Sequence, residues 1–240
     1  LAEESIDAEV TESGQLGLAF APAHVPAMRS EQAELAAVGA QARALDRLEL
    51  RYELASDRFF GGLLVERCLG LNPARLTSGL AAAAIRDGAV IHEHTPAASI
   101  RRGADGRFEV ATHAGRIKAR DVVVATSGHT GSLVPWLRRR VVPVSSFVIV
   151  TEPLDDGAAR AVAPRRRMYY DSRNFLNYWR LTPDQRLLFG GRASFMPTSI
   201  ERARAILYRE MTSIFPALRG SKIAYAWSGR VDLTLDRMPR

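Results

Sequence analysis

The 240 residues carry a formal charge of +7, are 47% apolar and 25% charged, and include a single cysteine. Such a chain is globular and can bury one large core or two smaller ones. No run of about 18 apolar residues offers a membrane span, and Cys68 alone excludes an internal disulfide or a cysteine-based metal site. The basic surplus first suggests nucleic acid. Yet only Lys118 and Lys222 are lysines, and outside 138–140 and 165–167 the arginines are scattered, which suits an anionic small substrate better than a phosphate-binding face. A reducing compartment, the cytoplasm, is expected. The start, Leu1-Ala2-Glu3-Glu4, shows neither an initiator Met nor a signal peptide.

In chain order, residues 13–20 follow a glycine turn and read as a strand. Leu35, Val38, Ala42 and Leu45 keep helical spacing within 31–54, and a strand with a glycine pair is expected over 59–64. Asn72-Pro73 opens a helix over 73–86, an amide cap followed by proline at the first helical position, with Gly88 as its stop. A short strand at 89–92 and a hairpin of 108–112 with 116–119 come next. The β-branched run 121–126 is too apolar for a half-wet strand and is expected to be buried on both faces, covered by the 73–86 helix. It ends in the small-residue loop Ser127-Gly128-His129, where ligands bind in open α/β sheets.

Residues 141–154 alternate as a long strand, and 158–164 read as connection. Strands are expected over 168–170 and 174–181, with a turn at 182–185 returning through 186–189. Thr198-Ser199-Ile200-Glu201 fits a capping box before a helix face of Ile200, Ala203, Leu207, Met211 and Ile214. A last strand covers 223–227.

No metalloprotease, P-loop or nucleophile-elbow motif is present. His92 and His94 share one side of the expected 89–92 strand but lack a third metal ligand. Ser78 and Ser127 have no identifiable base. The aromatic and arginine set Tyr169, Tyr170, Tyr178, Trp179, Arg180, Arg192, Trp227 and Arg230 is more suggestive. Alternation puts Tyr178 and Arg180 on one face of a strand, where a forked guanidinium and a phenol could hold a carboxylate. An outer sheet face of large amphipathic side chains is the equal alternative.

Several of these stretches, in this order, resemble the FAD-dependent D-amino-acid oxidase superfamily, in particular its γ-glutamylputrescine oxidase-like amine oxidases. They are Asn72-Pro73-Ala74-Arg75-Leu76, Val123-Val124-Ala125-Thr126-Ser127-Gly128-His129-Thr130, Thr151-Glu152-Pro153-Leu154, Leu188-Phe189-Gly190-Gly191-Arg192, Trp227-Ser228-Gly229 and Asp236-Arg237-Met238-Pro239. The resemblance implies an α/β plus α+β fold, with a FAD-binding α/β domain interleaved with a substrate domain on a mixed, largely antiparallel sheet. Substrate-domain segments would be 1–65 and 139–228, FAD-domain residues 66–138, and 229–240 would return toward the FAD domain. The family's opening strand–GxGxxG–helix and its closing flavin segment have no counterpart here. The chain is therefore expected to be an internal portion of a flavoenzyme that does not retain FAD alone.

By the same resemblance, FAD is held non-covalently, since Cys68 is misplaced for a flavin tether. Ala97 would meet the adenine end, and Ala125, Thr126, Ser127 and Gly128 would lie against the cofactor. Tyr178 and Arg180 would take the substrate's anionic end, with Trp227 as a wall. The implied activity is oxidation of the C–N bond of a small-molecule amine or amino acid by hydride transfer to flavin. No nucleic acid or membrane span is expected as partner. The alternative is a non-catalytic structural subunit or decayed homologue.

Overall fold

The computed structural model describes residues 1, 3–194 and 198–234. Its strands are β1 (Thr11–Glu12), β2 (Gln15–Leu18), β3 (Ala42–Leu45), β4 (Gly62–Val65), β5 (Leu69–Gly70), β6 (Ala97–Arg102), β7 (Phe108–Thr112), β8 (Gly115–Ala119), β9 (Val141–Thr151), β10 (Met168–Asp171), β11 (Tyr178–Leu181), β12 (Leu187–Ser194) and β13 (Ile223–Thr234). The helices are α1 (Val25–Ala37), α2 (Pro73–Arg86), α3 (Pro135–Arg138), α4 (Asp156–Val162) and α5 (Ile200–Ile214). No helix among the described residues is long and apolar enough to cross a membrane. Two compact units divide the chain, Leu1–Leu80 with Ser146–Ser228, and Ala81–Ser145 with Gly229–Arg240.

The first unit is built on a sheet of order β13-β9-β12-β11-β10-β2-β4-β3. It is mixed: β2 runs parallel to β10 and antiparallel to β4, while β11 is antiparallel to both β10 and β12. One face is dry. Leu16, Leu18, Phe147, Ile149, Tyr169, Trp179, Leu187 and Phe189 bury there beneath the apolar faces of α4 and α5. Trp179 is the hub, with its ring centroid 5.4 Å from Tyr169 and 6.0 Å from both Phe59 and Phe189, all stacked, and Phe215 edge-on at 5.5 Å. A smaller cluster of Ala19, Met28 and Leu63, with Val25, Leu35 and Ala42 against it, packs α1 beside β3 and β4.

A buried ion pair ties the start of this sheet. Arg167 Nε donates to Glu53 Oε2 at 2.8 Å and its Nη1 to the Ser13 carbonyl at 2.8 Å, and the Tyr169 hydroxyl donates to the Glu53 carbonyl at 3.2 Å. Burial lowers the Arg167 pKa, but the Glu53 hydrogen bond and charge outweigh it and the net shift is upward. Burial, with the Glu53 charge, raises the Tyr169 phenol far above its ordinary value, in keeping with its role as donor to the Glu53 carbonyl.

Helix α2 forms over the expected residues, and Asn72 caps it as the sequence suggests: its Oδ1 accepts from Ala74 N at 3.1 Å and Arg75 N at 3.3 Å. In α5 the cap is Ser199 rather than Thr198, accepting from Arg202 N at 3.2 Å. The hairpin of 108–119 is present, extended by β6 into a three-stranded antiparallel sheet.

Four expectations are corrected. The 121–126 run pairs with no strand among the described residues, and Val123 is 89% exposed, so it is not a strand buried on both faces. Apolar β-branched residues favour strands only where a neighbouring strand and covering side chains are supplied. Residues 89–92 are likewise no strand, with Val90 78% exposed, and this removes the one-sided placement of His92 and His94. The helical spacing across 31–54 breaks at Gly39, whose φ of 79° ends α1 and turns the chain into β3. The connection at 158–164 is mostly α4, capped by Asp155, whose side chain accepts from Ala158 N at 2.8 Å.

The Trp179 stack supplies the first test. Truncating a buried aromatic ring costs about 3–5 kcal/mol, so Trp179→Ala should lose that much from the urea unfolding free energy. Trp179 Nε1 is buried without a hydrogen-bond partner among the described residues. Trp179→Phe keeps a stacking ring and removes that N–H, and should cost less than half as much.

Candidate functional site

The face of the sheet opposite the core carries the side chains that alternation throws there. Tyr178 and Arg180 are half-buried on β11, while Trp179 and Leu181 between and after them are buried. The structure therefore places Tyr178 and Arg180 on one face as the sequence suggests, with their side chains reaching to opposite sides of β11. Tyr178 is the direct cross-strand partner of Tyr170 on β10 and of Gly190 on β12. Its ring lies down over Gly190: a Cβ built there would meet Tyr178 ring atoms at 2.2–2.4 Å. Its hydroxyl stands 3.4 Å from Ser146 Oγ.

Arg180 reaches over Gly70, with Nη1 3.3 Å from where a Gly70 Cβ would stand and the Met168 sulfur 3.2 Å from the same point. The other partly buried arginines of this unit are all paired. Arg167 meets Glu53 at 2.8 Å, Arg173 meets Asp171 at 2.7 Å and Glu210 at 2.9 Å, and Arg186 meets Asp184 at 2.8 Å and Glu152 at 3.0 Å. Arg180 has no carboxylate partner among the described residues. Trp227 stands on the edge strand β13, separated from β11 by β9 and β12, and is 43% exposed. The Arg192 side chain and residues 236–239 lie outside the described residues.

The second candidate set belongs to the other unit. Ala97 opens β6 opposite Thr112, next to a bulge before Ser99. Ala125, Thr126, Ser127 and Gly128 are contiguous and lead into a 3-10 turn, Ser127–His129. Ser127 holds a left-handed φ of 46°, unusual for a residue with a side chain. Its hydroxyl donates to Asp232 Oδ1. Thr126 and Thr130 hydroxyls are 2.7 Å apart, and Thr130 Oγ1 donates to the Ser127 carbonyl at 2.8 Å. A Cβ on Gly128 would stand 3.2 Å from Arg230 Cβ and from the Val231 backbone, so the close approach of β13 is one reason for glycine here.

A cavity of about 500 Å³ opens beside this loop, lined by Ser127, Gly128, Thr130 and Ser132 and by Arg138 and Arg230. No lining residue is acidic, and neither guanidinium has a carboxylate partner among the described residues. The Ser132 hydroxyl, glycine backbone and two guanidiniums without a carboxylate partner among the described residues are a donor set that fits the phosphate-bearing part of a dinucleotide. Among the described residues no group of three or more acidic, histidine or cysteine side chains could hold a metal ion.

Sequence reasoning missed Arg138, Ser146 and the glycines beneath the tyrosines, and it left Tyr170 and Arg230 unassigned within a larger set. Strand alternation could have flagged Tyr170, but which residue lies across from it depends on pairing.

One unit with a mixed sheet and a polar aromatic face, and another with a small-residue loop lined by arginines, suit a flavin-dependent oxidoreductase. The chain belongs to the FAD dependent oxidoreductase (DAO) family, whose model matches residues 1–240. It is 34% identical over 201 residues to the gamma-glutamylputrescine oxidoreductase of Escherichia coli K12, covering 83% of this chain and 47% of that protein. To the probable oxidoreductase OrdL of Haemophilus influenzae it is 33% identical over 198 residues, covering 81% and 45%. The chain thus spans about half the length of the curated relatives it matches. In fold it is similar to glycine oxidase from Geobacillus kaustophilus, with TM-score 0.82 at 20% identity, and to L-proline dehydrogenase from P. horikoshii, with TM-score 0.80 at 19% identity. Each covers 99% of this chain and 64% of the other.

The loop clasp can be tested directly. Left-handed backbone costs a residue with a side chain about 1–2 kcal/mol, and a hydrogen bond contributes about 1 kcal/mol. Ser127→Ala should lose the Asp232 bond and keep the backbone cost, whereas Ser127→Gly trades one against the other and should be close to neutral. Amide hydrogen exchange at Gly128 and His129 should rise in the alanine variant and stay near wild type in the glycine variant.

Proposed function

We propose that the chain forms part of an enzyme that oxidises the C–N bond of an amine or amino acid with FAD. On this reading residues 1–65 and 139–228 are the substrate domain, 66–138 belong to the FAD-binding domain, and 229–240 return toward it. That the compact units divide at Leu80, Ser145 and Ser228 supports this division. The name of the relative from Escherichia coli supports an amine substrate. The single cysteine supports a cytoplasmic enzyme.

The observation that carries the reading is Arg180, a half-buried cation on the polar face with no carboxylate partner among the described residues. Partial burial of an unpaired charge is unfavourable unless a ligand completes it. A substrate carboxylate does so, accepting two hydrogen bonds from the guanidinium fork, while Tyr178, whose hydroxyl lies on the other side of β11 by Ser146, contributes its ring. Trp227 would wall the substrate side. Ala97, Ala125, Thr126, Ser127 and Gly128 would line the cofactor, with Arg138 and Arg230 facing its phosphates. When bound, FAD supplies acceptance of hydride from the carbon beside nitrogen. The chain's own residues orient the amine through its anionic end, so that one C–H is presented repeatedly in the same attitude.

The test is anaerobic titration, with amines, of the whole FAD-loaded enzyme of which this chain is part, followed by loss of the oxidised flavin's visible absorbance. A charged hydrogen-bond pair contributes about 1.5–3 kcal/mol, so Arg180→Ala should raise KM for a carboxylate-bearing amine roughly ten- to hundred-fold. A neutral amine of the same length should change little. Equal effects on both would overturn the carboxylate role. Failure of every amine to bleach the flavin would instead favour the non-catalytic alternative.

A further inference from the structure

The polar face holds a second tyrosine in a mirrored position. Tyr170 on β10 stands directly across from Tyr178 on β11, and across from Gly17 on its other side, on β2. A Cβ on Gly17 would meet the Tyr170 hydroxyl at 2.7 Å and Cζ at 2.8 Å. The two rings therefore lie down in opposite directions, Tyr170 over β2 and Tyr178 over β12, each occupying the place of a missing side chain. From Gly17 to Gly190 is three strand spacings, roughly 14 Å at about 4.8 Å each. Across that width the face is paved by two aromatic rings instead of being studded with upright side chains. Arg180 lies two residues beyond Tyr178, roughly 6.6 Å along the strand at about 3.3 Å per residue.

We propose that Tyr170 is a second substrate-contact residue, one half of an aromatic floor that receives the ammonium and adjoining methylenes of an amine whose carboxylate is held at Arg180. This rests on the amine-oxidoreductase reading above. Rings lying down on a sheet turn their negative π faces to the ligand, and that is the arrangement in which tyrosine attracts an alkylammonium ion. Glycine at both 17 and 190 is what lets them lie down. The Tyr170 hydroxyl makes no hydrogen bond among the described residues, although the residue is only half exposed. Burial foremost, with the charges of Glu31 and Cys68, raises its pKa, so it keeps its proton as a donor. A purely structural role, shielding the Gly17 backbone, would account for the ring but not for the matched pair beside an unpaired guanidinium.

Two probes separate these roles: 6-aminohexanoate and hexanoate, which share the carboxylate and chain but differ in the ammonium. Both are titrated calorimetrically into the full chain in the presence of FAD. Wild type should bind 6-aminohexanoate more tightly, and Tyr170→Ala should reduce that preference roughly three- to tenfold. Tyr170→Phe, which keeps the ring, should retain most of it. Arg180→Ala should weaken both probes alike and leave the preference unchanged. A Tyr170→Ala variant with an unaltered preference would overturn the proposal, even with a lowered melting temperature. An Arg180→Ala variant that binds both as wild type does would count against the carboxylate reading alone. Binding of neither probe by wild type would overturn both.

Discussion

The stack of Tyr169, Trp179 and Phe189 fixes more of this protein than any other contact. These residues are cross-strand partners on β10, β11 and β12, and their rings sit 5.4–6.0 Å apart on the dry face. A slip of one residue in any of the three strands would turn a large aromatic ring out of the core, and in β11 it would bring Tyr178 or Arg180 into it. Because side chains alternate, the register that buries Trp179 necessarily delivers Tyr178 and Arg180 to the other face. The chemistry of the polar face is thus set from the apolar one.

Charge placement in the first unit follows the same logic of completion. Arg167, Arg173 and Arg186 each meet a carboxylate, and Asp171 is held at 0% side-chain exposure by Arg173. Removing one member of such a pair would leave the other stranded in a poorly solvated place. Against that pattern Arg180 stands out, having no carboxylate partner among the described residues. The second unit shows the same contrast, with Arg116 paired to Glu109 at 3.0 Å, and Arg138 and Arg230 beside a cavity without a carboxylate partner among the described residues.

What could be read in the sequence was what is local. Asn72-Pro73 announced α2, the Ser199 region announced α5, and the adjoining runs 108–112 and 116–119 announced the hairpin of β7 and β8. Alternation alone paired Tyr178 with Arg180. The family likeness was legible too, because it rests on the order of many short stretches. What misled was periodicity without context. Leu35, Val38, Ala42 and Leu45 kept a helical spacing straight through Gly39, and the valines at 122–124 promised a covered strand for which the described residues hold no partner. Helix α4 was overlooked because Gly157 and four alanines at 158, 159, 161 and 163 give no apolar stripe. The tyrosine seats on Gly17 and Gly190 depend on which strands become neighbours, and β2 meets β10 across some 150 residues of chain that no local pattern bridges.

That last pairing has a temporal side. Strand β2 sits in the middle of the large sheet, with Leu16 opposite Tyr169 on one flank and Leu64 on the other. A ribosome delivers residues 15–18 some 150 residues before β10, so one edge of β2 waits unpaired over that interval. Long-range and parallel pairings are slow to close and expose strand edges while they wait. Until β10 arrives, the nascent chain presents Leu16, Leu18 and Leu64 as an open apolar ribbon, and chaperone demand should concentrate on that interval of its birth.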